Sequence, residues 1–452
     1  MPAALATLVC LVFILCLFWT DIKEDRETSH AVWIPLAWMF IAGSRNVSYW
    51  LNPGVSLSTV SVYQEGSTLD GAIFAVLIAA GATVLVLRRL DWGALLIRNK
   101  WIWGYLLFCG ISIVWSDESI IALKRWIKTM GDVIMALVIL TEKRPYHAVG
   151  TVLRRLAFLI LPLSVLFIKY YPDLGRAYHM GAPMYIGVTT QKNSLGQICL
   201  ICGLYFSWSL MFQWRDEIDK YGFSRAVVNL LCIALAAWLL VSSDSATSMM
   251  CFAVVISFFA AGRVPALASR PRRLVAFSGI VLFLAAFLEL TFGASGLIIE
   301  ILGRDPDLTT RVPLWKTLLA LETNPLIGVG YESFWSGERL VHIWRHFPGV
   351  MQAHNGYLDL YMNVGLIGLL LLLASIISGL VTTVRHLDHD YATSLLRIAF
   401  IVAVVLYNWT EATLKPVSNV VIMLLWGILE VSGVTEPRED DEPPDDLEEE
   451  PG

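Results

Sequence analysis

Four arginines and three histidines gather in one stretch of this 452-residue chain: Arg304, Arg311, Arg339 and Arg345, with His342, His346 and His354. The stretch, residues 294–356, is the long interruption between two strongly apolar segments. An arginine offers a planar fork of donors that matches a phosphate or diphosphate, and a histidine titrates near neutrality and can take a proton from a hydroxyl. Side chains of these types suit group transfer with an anionic leaving group. Two stand out by position. Arg311 opens RVPLWKTLLALE, where Thr309 or Thr310 is available as an N-cap and Pro313 is tolerated in the first turn. Its guanidinium is expected at the positive end of an amphipathic helix, with Leu314, Leu318 and Leu321 on one face and Trp315 and Leu319 beside them. His354 and Asn355 stand directly before the next apolar run, where water meets membrane. Between them, NPLIGVGYESFW supplies an Asn324-Pro325 turn and two glycines that permit close backbone approach.

Other polar candidates are weighed against simpler roles. Lys192, in GVTTQKNSLGQ, begins an apolar helix whose free backbone N–H groups form a natural anion site, although snorkelling of its amine to the interface explains the residue equally well. Asp244, in LLVSSDSATSMM, reads as an ordinary turn or N-cap residue. Lys124, Arg125 and Lys128 lie in SDESIIALKRWIKTMGD, which reads as an amphipathic connector resting in the interface. Cys199 and Cys202 form a CxxC inside an apolar segment, where thiolate chemistry is disfavoured and packing is expected. Asp305 and Asp307 have the spacing of a metal-binding pair, but Pro306 between them favours a turn.

The elements that must position these residues are membrane helices. Hydrophobic residues make up 56% of the chain and charged ones 16%, well below the usual quarter of a soluble domain. Seventeen tryptophans and fifteen tyrosines suit many water–lipid boundaries, and the net charge of −5 gives no support for nucleic-acid binding. Apolar segments near 3–19, 31–43, 69–87, 101–115, 129–141, 154–170, 194–212, 226–242, 247–261, 274–292, 357–381, 396–409 and 417–432 predict an all-α polytopic membrane protein with 12–13 spans. The first lacks a basic leader and cleavage site and reads as an anchor. The expected organisation is N-terminal membrane helices over 1–293, a large partly helical loop over 294–356, C-terminal membrane helices over 357–432, and an acidic, disordered tail over 433–452. Of the 33 Lys and Arg, 20 fall in one set of alternate connections and 12 in the other. The positive-inside bias puts the richer set and the tail in the cytoplasm, and the long loop on the outer face.

GRDPDLTTRVPLWKTLLALETNPLIGVGYESFW followed by AHNGYLDLYMNVGLIGL resembles the O-antigen ligase and polymerase-like membrane glycosyltransferases, especially their exopolysaccharide polymerisation branch. AVWIPLAWMFIAGSR, SDESIIALKRWIK, KYYPDLGRAYHM and GVTTQKNSLG also look like the family's recurrent segments, so the resemblance spans nearly the whole chain apart from the tail. It implies a GT-C-like, multi-pass enzyme of the bacterial inner membrane with its site facing the periplasm. The implied partners are a polyprenyl diphosphate-linked glycan donor, a glycan or lipid acceptor, the bilayer and polysaccharide assembly proteins, with neither metal nor cofactor. By the same resemblance His354 is the base and Arg311 the main diphosphate contact, Lys192 and Arg304 are further basic contacts, and Asn355 and Asn193 are supporting residues. This chain has Gln191-Lys192-Asn193 where the family often has HKN, and Thr310-Arg311 where it often has TGR. Ser243-Asp244-Ser245 replaces a common Ser-Arg pair, which removes one basic contact.

Two other classes are weighed. A lipid-linked glycan transporter or flippase predicts polar residues within the spans and internal repeats; Glu289 is the clearest such residue, and no repeat is visible. A non-catalytic partner of a polysaccharide assembly complex would keep the fold and tolerate loss of His354.

Overall fold

The computed structural model describes residues 1–25, 27–52, 67–179, 181–273, 275, 276, 279 and 308–431. Arg304, Asp305, Asp307, Glu289, the bulk of the expected span at 274–292 and the tail at 433–452 lie outside these residues. The protein is an all-α polytopic membrane protein: eight helices are long and apolar enough to cross a membrane, and three shorter apolar helices accompany them among the described residues.

The helices that matter for the site are α1 (Ala3–Glu24), α2 (Trp33–Gly43), α3 (Thr68–Leu87), α4 (Lys100–Ile111), α5 (Ser119–Leu140), α6 (Pro145–Tyr170), α7 (Lys192–Trp208), α8 (Phe223–Ser242), α9 (Ala246–Arg263), α10 (Leu308–Leu319), α11 (Gly337–His346), α12 (Gly356–His386), α13 (Tyr391–Thr410) and α14 (Asn419–Ile428). A small hairpin, β1 (Arg176–His179) and β2 (Ala182–Tyr185), pairs antiparallel ahead of α7. The apolar stretches of α6 and of the helix beginning at Lys192 are 78% buried, against 22% for α1 and α3, so the former make the core and the latter face lipid.

Helix α5 corrects the sequence reading of residues 119–141. The amphipathic stretch and the short apolar segment are one continuous helix, not a surface connector followed by a span. Its charges find partners along the way: Arg125 donates to the Glu332 carbonyl, and the Lys128 amine lies 5.4 Å over the Phe74 ring. Asp132, fully buried, accepts from Trp38 Nε1 at 2.8 Å and from the Val417 N–H at 2.8 Å. A buried carboxyl group is tolerated when its oxygens find hydrogen-bond partners in this way. Here a buried polar residue joins three elements of the fold.

The described part of the long loop has its own small core. Leu314 and Leu318 of α10 pack with Phe334, Trp335, Leu340 and Ile343, with Trp315 and Leu321 against them as the periodicity predicts, while Leu319, expected beside that face, stays 58% exposed. Thr309 and Thr310 lie inside helix α10 and do not precede it as caps.

The glycines of NPLIGVG have a defined function. Helix α12 breaks at Gly365 (φ 62°, ψ −167°), and the 324–330 segment fills the break. The Leu366 N–H donates to Pro325 O at 2.9 Å, Ile367 N–H to Leu326 O at 3.0 Å, and Gly330 N–H to Asn363 O at 2.9 Å. Irregular backbone in a membrane helix is stable only when its polar groups are satisfied by protein. A Cβ on Gly328 would lie 2.3 Å from Asn363 O, and one on Gly365 would lie 2.3 Å from Leu326 C. This interlock fixes the loop to the helix that begins beside His354.

Candidate functional site

The His-Asn-Gly run before α12 assigns a separate geometric task to each residue. His354 adopts the left-handed backbone (φ 51°), which non-glycine residues visit at a cost and histidine more readily than most. Asn355 is the N-cap: its side-chain oxygen accepts from the Tyr357 and Leu358 N–H groups at 3.1 and 3.0 Å. Its support for His354 therefore runs through the helix start, and no side-chain hydrogen bond joins the two. Gly356 lets the chain pass against α13, since a Cβ there would meet Asn408 Oδ1 at 2.4 Å. Asp359, buried one turn on, accepts from the Ala353 N–H and from Trp335 Nε1, both at 3.0 Å, and so holds the residue before the histidine.

Arg311 and His354 meet. The Arg311 Nη1 donates to the Thr410 carbonyl at 2.9 Å and reaches the His354 carbonyl at 3.5 Å. Trp315, one turn along α10, donates from Nε1 to Ala353 O at 2.7 Å. Helix α10 is thereby clamped across the His354 turn and the end of α13. Among the described residues Nε and Nη2 of Arg311 carry no hydrogen bond, although Nη2 has an ion-pair contact with Glu411 Oε1 at 4.0 Å, so their N–H groups are left to reach an anion.

Asn193 also reaches this place, in the first turn of α7, and Lys192 is its neighbour in the chain. No side chain caps that helix, so its first N–H groups stay open as the sequence suggested. The Lys192 amine lies 3.7 Å from Asp244 Oδ2, and Asp244 occupies a turn in the left-handed conformation, so the turn reading holds and acquires an ionic partner. A cavity of about 240 Å³ lined by Ala177, Met184, Ile186, Thr190, Gln191, Lys192 and Asn193 opens beside the helix start.

The remaining basic residues of the loop play other parts. Arg339 pairs with Asp117 at 2.7 Å and lies over the Phe334 ring, which docks the loop. His342 and His346 pack against one another, ring centroids 5.3 Å apart, on the exposed side of α11 with Arg345. The thiols of Cys199 and Cys202 are free and buried, in keeping with packing.

Glu411 is the residue the sequence reading missed. It follows α13 directly, is 4% exposed, and accepts from Asn193 Nδ2 at 2.8 Å through Oε1 and from Gln352 Nε2 at 3.3 Å through Oε2. Its Oε2 stands 3.4 Å from His354 Nδ1, and its Oε1 is 4.0 Å from Arg311 Nη2. Lys415, in the same connection, lies 3.4 Å from Gln352 Oε1 and 3.8 Å from Asp359 Oδ2. The available signal was positional: an acidic residue flush against an apolar helix end, in a connection sharing a face with the long loop. That connection entered the sequence argument for its basic residue alone.

The arrangement pairs an imidazole with a buried carboxylate and sets a partly committed guanidinium beside them. Such a group can take a proton from a hydroxyl while a neighbouring anion is stabilised by fixed donors.

Two comparisons with known proteins bear on the family this chain resembles. Residues 231–373 match the family described as O-antigen ligase, a span that includes Arg311 and His354 but ends before Glu411. Over 303 residues the chain is 29% identical to "Exopolysaccharide production protein ExoQ" of Rhizobium meliloti (strain 1021), covering 64% of this chain and 66%, just under two thirds, of that protein. Both findings support the O-antigen ligase-like exopolysaccharide family indicated by the motifs.

Proposed function

We propose that this O-antigen ligase-like membrane protein is a glycosyltransferase of cell-surface polysaccharide assembly, acting on a polyprenyl diphosphate-linked glycan at the outer face of the inner membrane. The carrier's apolar tail explains why the site sits at the ends of membrane helices, and the cavity beside Lys192 offers room for sugar. The reaction joins the donor glycan to a hydroxyl of a glycan or lipid acceptor. The acceptor proton passes to His354 Nε2 as its oxygen bonds to the donor's anomeric carbon. The bond from that carbon to the diphosphate breaks, and its electron pair leaves with the polyprenyl diphosphate. Arg311 meets the charge on the leaving group through its uncommitted donors, with Lys192, the open α7 N-terminus and Arg304 as further basic contacts.

The observation that carries this reading is the meeting of Arg311 and His354, 43 residues apart, across the end of α13. Deleting the gene and restoring it with wild type or His354→Ala tests it. Wild type is expected to return the lipid-linked glycans to normal, while His354→Ala inserts at normal level and leaves them accumulated. Normal glycans with His354→Ala would remove the base assignment. Accumulation of single repeat units marks a polymerase, and accumulation of carrier-bound polymer marks a ligase.

A further inference from the structure

We propose that Glu411 is the positioning residue that sets the tautomer and orientation of His354, an inference that rests on the reading of His354 as the base. The carboxylate is held from both sides. Asn193, at the start of α7, anchors Oε1 at 2.8 Å, which directs Oε2 toward the imidazole. Two groups then compete for the same ring nitrogen: Glu411 Oε2, an acceptor, at 3.4 Å from Nδ1, and Gln352 Nε2, a donor, at 3.3 Å. The Gln352 amide is oriented by Lys415, whose ammonium lies 3.4 Å from Oε1 and leaves Nε2 facing the histidine.

A neutral imidazole answers one of these groups and not both. With its proton on Nδ1 it presents that N–H to Glu411 Oε2, a contact of 3.4 Å, and the Nε2 lone pair is left to receive a proton. With its proton on Nε2 it accepts from Gln352, and the base is gone. Glu411 itself is only 4% exposed, and a charged acceptor so buried outweighs a neutral amide donor, so Glu411 selects the competent form. When His354 Nε2 then takes the acceptor's proton, the positive ring faces the same carboxylate. The role assigned to Glu411 is to orient the ring and face its charge, as the carboxylate does in serine-protease triads. Gln352 supplies the contrast that makes the selection necessary.

The test uses the full-length protein, labelled with ¹⁵N-histidine and reconstituted in phospholipid vesicles under conditions where the ring is neutral. The His354 resonances are identified by their loss in His354→Ala. Wild type is expected to carry the proton on Nδ1, and Glu411→Gln on Nε2. In parallel, transfer is measured with lipid-linked glycans extracted from the deletion strain. Glu411→Gln should lower kcat about 100-fold, with the donor KM within about twofold because no diphosphate contact is removed. Glu411→Asp keeps the charge and should restore both the Nδ1–H tautomer and at least about a tenth of kcat. An unchanged tautomer in Glu411→Gln, or a kcat within about threefold of wild type, overturns the proposal. The spectroscopic arm does not depend on transfer, and His354→Ala in the same assay reports separately on the base assignment. Active His354→Ala would therefore sink the functional reading, while inactive His354→Ala with unaffected Glu411→Gln would sink this inference alone.

Discussion

At the scale of single residues, the site depends on backbone conformations as much as on side-chain chemistry. His354 is held at φ 51°, so a substitution there alters both the imidazole and the strain of a left-handed L-residue. His354→Ala and His354→Gly should both lose transfer. The glycine variant is expected to be the more stable by about 1 kcal/mol, because glycine occupies that region freely. Thermal unfolding in detergent checks this; equal melting temperatures would mean that the turn relaxes without strain. Arg311→Lys separates charge from geometry in the same way. The three N–H donors of a lysine ammonium diverge from one nitrogen, so it cannot hold the Thr410 carbonyl and also present a planar, parallel pair to a diphosphate, and kcat/KM is expected to fall at least about tenfold. Turnover equal to wild type would remove Arg311 from the donor site.

At the scale of elements, the insertion of 324–330 into the broken α12 carries more of the site's precision than any single contact. Gly328→Ala and Gly365→Ala each place a methyl 2.3 Å from main-chain atoms at positions of positive φ. Each should destabilise the protein on the order of 3 kcal/mol, combining overpacking with left-handed strain. Detergent melting curves unchanged from wild type would show that the two backbones do not touch. The glycines were legible in the sequence as a close approach, but the partner was not, because the break in α12 lies within a run, MNVGLIGLL, that by composition continues a helix. Helix α5 failed for the opposite reason. Lys124, Arg125 and Lys128 make residues 119–128 look like a surface segment until Arg125 is seen to reach the Glu332 carbonyl. Arg311 and His354 were legible as candidates because they stand at helix starts in an isolated basic loop, within motifs that resemble a known family. Glu411 was not, because its significance arises from three elements converging: the α7 start through Asn193, the loop through Gln352, and the α12 entry through His354.

At the scale of the whole molecule, the end of the bundle away from His354 is tied together by charge. Asp21 of α1 accepts from Arg154 Nε at 3.1 Å, Arg155 Nε at 2.8 Å and Arg225 Nη1 at 2.9 Å, and all three arginines are 3–4% exposed. Helix α1 faces lipid along most of its length, so this network joins it to α6 and α8. Next to it Asp25, just past the end of α1, receives Thr151 at 2.6 Å and Thr28 at 2.7 Å, with His147 at 3.2 Å. Burial alone would push the Asp25 carboxyl up, but the hydrogen bonds from His147, Thr151 and Thr28 outweigh it and hold the group well below the ordinary carboxylate range. A carboxyl depressed by folding adds stability above its unfolded value, about 3.9, and loses that contribution as pH falls toward the folded one. Asp25→Asn is therefore expected to lower stability by about 2 kcal/mol at neutral pH, and to flatten the decline in melting temperature below about pH 4. A variant whose acid profile matches wild type would show that Asp25 does not carry this linkage. Asp21→Asn tests the larger claim that the two ends are independent. It leaves three buried guanidinium groups short of their shared counter-charge, a loss on the order of 3–5 kcal/mol. The fraction that still folds should transfer glycan with the wild-type KM and kcat per folded molecule, because no contact of Asp21 reaches the α13 end where Arg311 and His354 meet. A changed kcat in that fraction would mean that the charge network sets the helix ends that build the site, and that anchoring and chemistry in this protein are coupled.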